Sequence, residues 1–180
     1  FSADGYGDAC RVELERRSDD RGFFARAFCV AEFAAHGLPT RWLQANVSYN
    51  AGAGTLRGLH FQRAPSAEAK LVRCVAGSIF DVIVDLRAGS PHFGRWTSLV
   101  LSAAERDAVY VPAGFGHGFQ ALEPDTELLY LHDAMFDPAC QGGVNALDPA
   151  LGIAWPLAVA GMSERDASLP ALSDLEPLRP

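Results

Sequence analysis

The stretch Ile79 to Arg87 reads IFDVIVDLR, and it constrains the fold more than any other part of the chain. Successive side chains of an extended chain point to opposite faces. Phe80, Val82, Val84 and Leu86 therefore share one face, and Ile79, Asp81, Ile83 and Asp85 share the other. This period-2 alternation predicts a β-strand. LVRCV (71–75) precedes it across a small turn at Gly77, so the two segments read as a hairpin. WTSLVL (96–101), AVYVP (108–112) and ELLYLH (127–132) continue the pattern between Gly, Pro, Asp and Ser clusters. Helical character is confined to VAEFAAHG, Val30 to Gly37, a short helix ended by glycine. From Asp148 onward Pro, Ala and Leu predict loops and short helices. Short strands at this spacing predict an all-β sandwich or jelly roll. With 180 residues, 49% of them apolar, the chain is expected to form a single domain over 1–180.

The formal charge of −7 argues against a nucleic-acid or anionic-membrane surface, both of which reward a basic face. No apolar run reaches the ~18 to 20 residues of a membrane span. The start, FSADGYGDAC, has no basic-then-apolar export signal. Cys10, Cys29, Cys74 and Cys140 form no CxxC pair, and free thiols in a reducing cytoplasm are expected.

Lys70 is the only lysine, against fourteen arginines. It lies in a strand-like stretch beside Leu71 and Val72. An ammonium among apolar residues is costly unless an anion sits beside it. As a compact point charge it approaches a single oxygen more closely than a guanidinium fork does. The position therefore suits negative charge developing on one oxygen, as on an enolate. An enolate needs a base, and His60 in GTLRGLHFQ is the side chain matched to neutral pH. A carboxylate partner would hold its tautomer. Asp166 is the candidate, although spacing alone does not single it out among 22 acids. Tyr130 in ELLYLH is the candidate acid.

GTLRGLHFQ and VPAGFGHGF, the latter with His117 in a Pro-x-Gly-x-x-His turn, together resemble the paired motifs of the cupin superfamily. That resemblance implies a double-stranded β-helix, or jelly-roll barrel, with short peripheral helices. Metal-binding cupins carry His-x-His and a following glutamate. Here the first element is His60-Phe61-Gln62 and the glutamate position is Lys70. An ammonium repels a cation, so no metal is expected.

Over most of the chain, RGLHFQ, AKLVR and PAGFGHGF in this order resemble the dTDP-4-dehydrorhamnose 3,5-epimerase family of deoxysugar nucleotide epimerases. The resemblance implies metal-independent epimerisation at the carbons flanking a 4-keto group, with no cofactor. His60 would be the base, Asp166 its dyad partner, Lys70 the enolate stabiliser and Tyr130 the acid. Arg21, Arg57 and Arg165 would hold substrate and diphosphate, with Gln44, Asn46, His117 and Phe119 as further contacts. It also implies a homodimer that exchanges N-terminal strands.

Three positions depart from the family pattern. Arg26 stands where a glutamate usually contacts the nucleotide. Phe136 replaces a tyrosine and Gln141 a glutamate near the substrate. The base is thereby left open between thymidine, guanosine and cytidine, and inversion between carbon 3 alone and carbons 3 and 5. A ketoisomerase and a non-catalytic sugar-nucleotide binding cupin are the competing readings.

Overall fold

The computed structural model describes residues 2–3 and 9–179. The ends and residues 4–8 of the expected 1–180 domain lie outside the described residues. The strands are β1 (Ser2–Ala3), β2 (Cys10–Val12), β3 (Arg17–Asp19), β4 (Gly22–Phe24), β5 (Gln44–Asn50), β6 (Leu56–Gln62) and β7 (Lys70–Ala76). They continue as β8 (Ser78–Asp85), β9 (Trp96–Ser102), β10 (Ala108–Val111), β11 (Phe115–Ala121), β12 (Thr126–His132) and β13 (Gln141–Gly143). The helices are α1 (Val30–Ala35) and α2 (Glu164–Ala167). One sheet runs β1-β2-β10-β7-β12-β5 and the other β13-β6-β11-β8-β9, with β3 and β4 paired apart from both.

The chain passes from one sheet to the other at nearly every step from β5 to β13, the double-stranded β-helix arrangement. This overturns the hairpin reading of 71–87. β7 pairs with β10 and β12, and β8 with β11 and β9, so neither has an edge left for the other. The turn between them is a crossover. Gly77 sits at φ +69, and a Cβ there would stand 2.3 Å from Thr126 Oγ1. Only glycine fits that passage.

The alternation in β8 has two uses. Ile79 and Ile83 pack between the sheets with Val72, Cys74, Leu101, Phe115, Phe119 and Leu128. Val82, Val84 and Leu86 face outward, where Leu56, Leu59 and the tail residues Val144, Ala146, Leu151, Leu175 and Leu178 cover them. A third cluster lies on the opposite outer face, where α1 buries Phe33 against Leu71, Ala108 and Tyr110. Burying one such phenylalanine contributes about 1.5–3 kcal/mol. α1 stops as expected at glycine, with Gly37 at φ +70 and its N–H on Ala34 O at 3.1 Å.

The tail sets up the chemistry. Leu56 N–H donates to Gly161 O at 2.8 Å, which holds the segment before α2 against β6. Ser163 caps α2, accepting from Asp166 N–H at 3.0 Å. Asp166 thereby meets residues more than a hundred positions earlier. The approach is tight at Gly58 (φ +116), where a Cβ would lie 2.5 Å from Gly118 Cα and 2.7 Å from His117 O. Gly58→Ala is expected to lower folding stability by about 2–5 kcal/mol, combining backbone strain with overpacking. Urea denaturation checks this, and a loss below about 1 kcal/mol would contradict it.

Candidate active site

Strand alternation gathers polar side chains on the inner face of the β5–β12–β7 sheet. Gln44, His132 and Lys70 form one cross-strand row, and Asn46 and Tyr130 sit opposite each other in the next. His60 on β6 and His117 on β11 are paired across the facing sheet. Between the sheets lies a cavity of about 290 Å³. His60, Lys70, Tyr130, Arg57 and His117 line it, as do Gln44, Asn46, Phe119, Phe136 and Gln141.

His60 Nε2 lies 2.8 Å from Asp166 Oδ1, and Asp166 Oδ2 accepts the Gly58 N–H at 3.1 Å. Burial pulls the His60 pKa below its ordinary 6.5, more than the bond and charge of Asp166 raise it. The charges of Lys70 and Arg165 push in the same downward direction. Burial would raise the Asp166 carboxyl. The His60 hydrogen bond and charge, together with the Gly58 N–H and Ser163, outweigh it and hold the group below its usual range. At neutral pH the pair is therefore a neutral imidazole beside a carboxylate. A carboxylate only accepts, so Nε2 carries the hydrogen and Nδ1 keeps the basic lone pair. If His60 is the base, kcat/KM rises with pH through an apparent pKa below 6.5 and is flat above it. An acid limb centred above 6.5 would contradict this.

Lys70 is buried and faces the same cavity. Its Nζ lies 3.2 Å from Glu68 Oε1, with the two side chains 9% and 10% exposed. It also donates to His60 O at 3.4 Å. The sequence reading reserved the anionic neighbour for a substrate oxygen, but in the resting site Glu68 fills that place. Two of the three ammonium donors are engaged, which leaves one for the cavity. Burial raises the Glu68 carboxyl. The hydrogen bond from His132, the charge of Lys70 and that of His132 overcome it and keep Glu68 below the usual carboxylate range.

Tyr130 faces His60 from the other sheet. Its hydroxyl is 3.1 Å from Ser48 Oγ. Burial pushes its pKa well above the ordinary phenol value, so it stays a proton donor. Its ring stacks on His132 at 6.1 Å and meets the edge of His117 at 6.4 Å. His117 Nε2 is fixed by Asp81 Oδ2 at 2.8 Å. Arg57 Nε donates to Asn50 Oδ1 at 2.7 Å.

Residues 6–174 match the family model described as dTDP-4-dehydrorhamnose 3,5-epimerase. The chain belongs to this family. It is 43% identical to the dTDP-4-dehydrorhamnose 3,5-epimerase of Mycobacterium tuberculosis over 159 residues, 87% of this chain and 74% of that one. It is 45% identical over 156 residues to the dTDP-4-dehydrorhamnose 3-epimerase of Streptomyces niveus, covering 86% and 75% of the two chains. The crystal structure of a 4-keto-6-deoxy sugar epimerase from the novobiocin gene cluster of Streptomyces spheroides superposes with a TM-score of 0.91 at 41% identity. That match covers 96% of this chain and 87% of that one.

Four residues expected at the site, Asp166, Arg165, Arg21 and Arg26, do not line the cavity. Asp166 acts from behind His60. Arg165, beside it on α2, is exposed, and its charge reaches His60 without its side chain lining the cavity. Arg21 is 90% exposed and ion-paired to Asp19 at 2.6 Å. Arg26 pairs with Glu32 at 3.0 Å. Arg21, in the turn of the β3–β4 hairpin, and Arg26, two residues past it, lie outside this chain's cavity, and the hairpin stands apart from the two main sheets. Glu68, His132 and Ser48 line the cavity and escaped the sequence reading. Alternation held the signal for two of them, since Glu68 is two residues before Lys70 and His132 two after Tyr130. Among the described residues, no helix is long and apolar enough to cross a membrane.

Proposed function

We propose that the chain epimerises a 4-keto-6-deoxyhexose nucleotide at carbon 3, with or without carbon 5. The observation that carries this is the placement of a neutral imidazole and a protonated phenol on facing walls, with an ammonium beside them. His60 Nδ1 takes the proton from the carbon next to the ketone, and the electron pair moves onto the carbonyl oxygen as an enolate. The free N–H of Lys70 meets that oxygen, and Asp166 stabilises the imidazolium that forms. Tyr130 returns a proton to the opposite face and is reprotonated from solvent. Arg57 binds the diphosphate, because a guanidinium fork suits phosphate oxygens. His117, Phe119, Gln44, Asn46, Phe136 and Gln141 contact the sugar and nucleotide.

The nucleotide is proposed to be dTDP, in keeping with the names of the relatives. Arg26, the departure that opened the choice of base, stands outside this cavity. We also infer a homodimer, in which Arg21 and Arg26 would serve the partner's cavity rather than their own. A reducing cytoplasmic location fits the free thiols of Cys29, Cys74 and Cys140.

The test is product analysis by NMR after incubation with 4-keto-6-deoxyglucose linked to dTDP, GDP or CDP. An epimer at carbon 3, or at carbons 3 and 5, is expected from the dTDP sugar. A 3-keto product would favour the ketoisomerase, and no conversion of any donor would defeat the enzyme reading.

A further inference from the structure

Beside His60–Asp166 and His117–Asp81 there is a third carboxylate–imidazole pair, His132–Glu68, and both of its members line the cavity. Its hydrogen bonds form an unbroken chain. The Phe136 N–H donates to Gln44 Oε1 at 3.0 Å. Gln44 Nε2 donates to Asn46 Oδ1 at 3.1 Å. Asn46 Nδ2 stands 3.3 Å from His132 Nε2. His132 Nδ1 stands 2.8 Å from Glu68 Oε2, and Glu68 Oε1 receives Lys70 at 3.2 Å.

The direction of this chain follows from its ends. A backbone N–H only donates, so Gln44 must present its oxygen to Phe136 and its amide nitrogen to Asn46. Asn46 must then present its oxygen to Gln44 and its nitrogen to His132. His132 Nε2 is thus an acceptor, and the hydrogen of the neutral ring sits on Nδ1. At the far end Glu68, an ionised carboxylate, only accepts, which requires the same tautomer. The two ends agree independently. The partners come from each element packed around the ring: Gln44 and Asn46 on β5, Lys70 on β7 with Glu68 just before it, and the stacked Tyr130 on β12.

We propose that Glu68 and His132 are positioning residues for Lys70, fixing its ammonium at the cavity wall through a one-way hydrogen-bond chain anchored on the Phe136 backbone. Each oxygen of Glu68 accepts one bond, one from Lys70 and one from His132, so a neutral isostere cannot replace it. A glutamine at 68 has one acceptor and one donor. Its amide N–H must face either the Lys70 ammonium or the His132 N–H. In the second case His132 can change tautomer only by flipping Asn46 and Gln44, which sets an amide nitrogen against the Phe136 N–H. The fault moves along the chain and does not disappear. This inference rests on the proposed enolate role of Lys70 for its kinetic consequence, but the tautomer does not.

The test has two readouts. Long-range ¹H–¹⁵N spectra of the imidazoles, at a pH where they are neutral, are expected to show His132 of the wild type protonated at Nδ1. Glu68→Gln is expected to move the hydrogen to Nε2 or to split the signal. With the dTDP-linked 4-keto sugar, Glu68→Gln is expected to lower kcat by about 10²-fold, the scale of a misplaced catalytic group, and to leave KM within about two-fold. If Glu68→Gln does not fold, His132→Ala is expected to give the same split. A wild-type His132 protonated at Nε2 would overturn the inference, and so would variants that keep full kcat. A wild-type protein that converts no sugar nucleotide while showing the Nδ1–H tautomer would refute the proposed function and leave the chain's direction standing.

Discussion

His60→Gln is expected to lower kcat by about 10³- to 10⁴-fold, near the upper range for a general base, with little change in nucleotide affinity. Glutamine keeps an N–H that can reach Asp166, so the buried carboxylate is not stranded. What it lacks is a second ring nitrogen with a basic lone pair. The structure places that atom, Nδ1, on the side of the ring away from Asp166 Oδ1, which holds Nε2 at 2.8 Å. Burial keeps the ring neutral around pH 7, so the loss is that of a base ready to act. Steady-state kinetics with the dTDP-linked keto sugar, beside a binding measurement with dTDP alone, separates the two effects. A loss below about tenfold would remove His60 from the role of base.

Lys70 carries the second large effect. Lys70→Met is expected to lower kcat by about 10²- to 10³-fold, the range for deleting one preorganised donor to a developing oxyanion. Lys70→Arg is expected to fail nearly as badly. Its planar fork is too large for a corner already bounded by Glu68 and the His60 carbonyl. The two variants differ in stability. Lys70→Met leaves Glu68 as a buried anion whose cation is gone, at a cost of about 3–5 kcal/mol, whereas Lys70→Arg keeps the charge. The double variant Lys70→Met with Glu68→Gln restores much of that stability and none of the activity. Thermal melts and kinetics on the three proteins check this. A Lys70→Arg enzyme with near-normal kcat would mean that positive charge alone suffices.

The strands were legible because alternation is a local property of the chain. β8 could be read from Ile79 to Asp85 without any knowledge of its neighbours. Its pairing could not, since adjacency across Gly77 looks the same for a hairpin as for a crossover. The outcome depends on which distant strands claim the edges of β7 and β8. The placement of His60 and Lys70 at the cavity was legible for a different reason: both are chemically out of place on an apolar strand. Asp166 was reachable only through the family resemblance, because the tail that carries it to Gly58 leaves no periodic trace. Glu68 and His132 were within reach of the same alternation argument, two residues from Lys70 and Tyr130. Arg21 and Arg26 show the reverse limit. A motif match gives a residue type and an order along the chain, but not whether the side chain enters the cavity of its own chain.

The proposed chemistry turns on one event, removal of a carbon-bound proton by His60 to give an oxyanion held by Lys70. The direct measurement is ²H incorporation from D₂O into the dTDP-linked 4-keto sugar, read by NMR at carbons 3 and 5. The wild type is expected to introduce solvent deuterium at every carbon it inverts, His60→Gln to do so about 10³- to 10⁴-fold more slowly, and Lys70→Met to slow in step with its own kcat. Inverted product that retains its original hydrogen, or full exchange by His60→Gln, would contradict it.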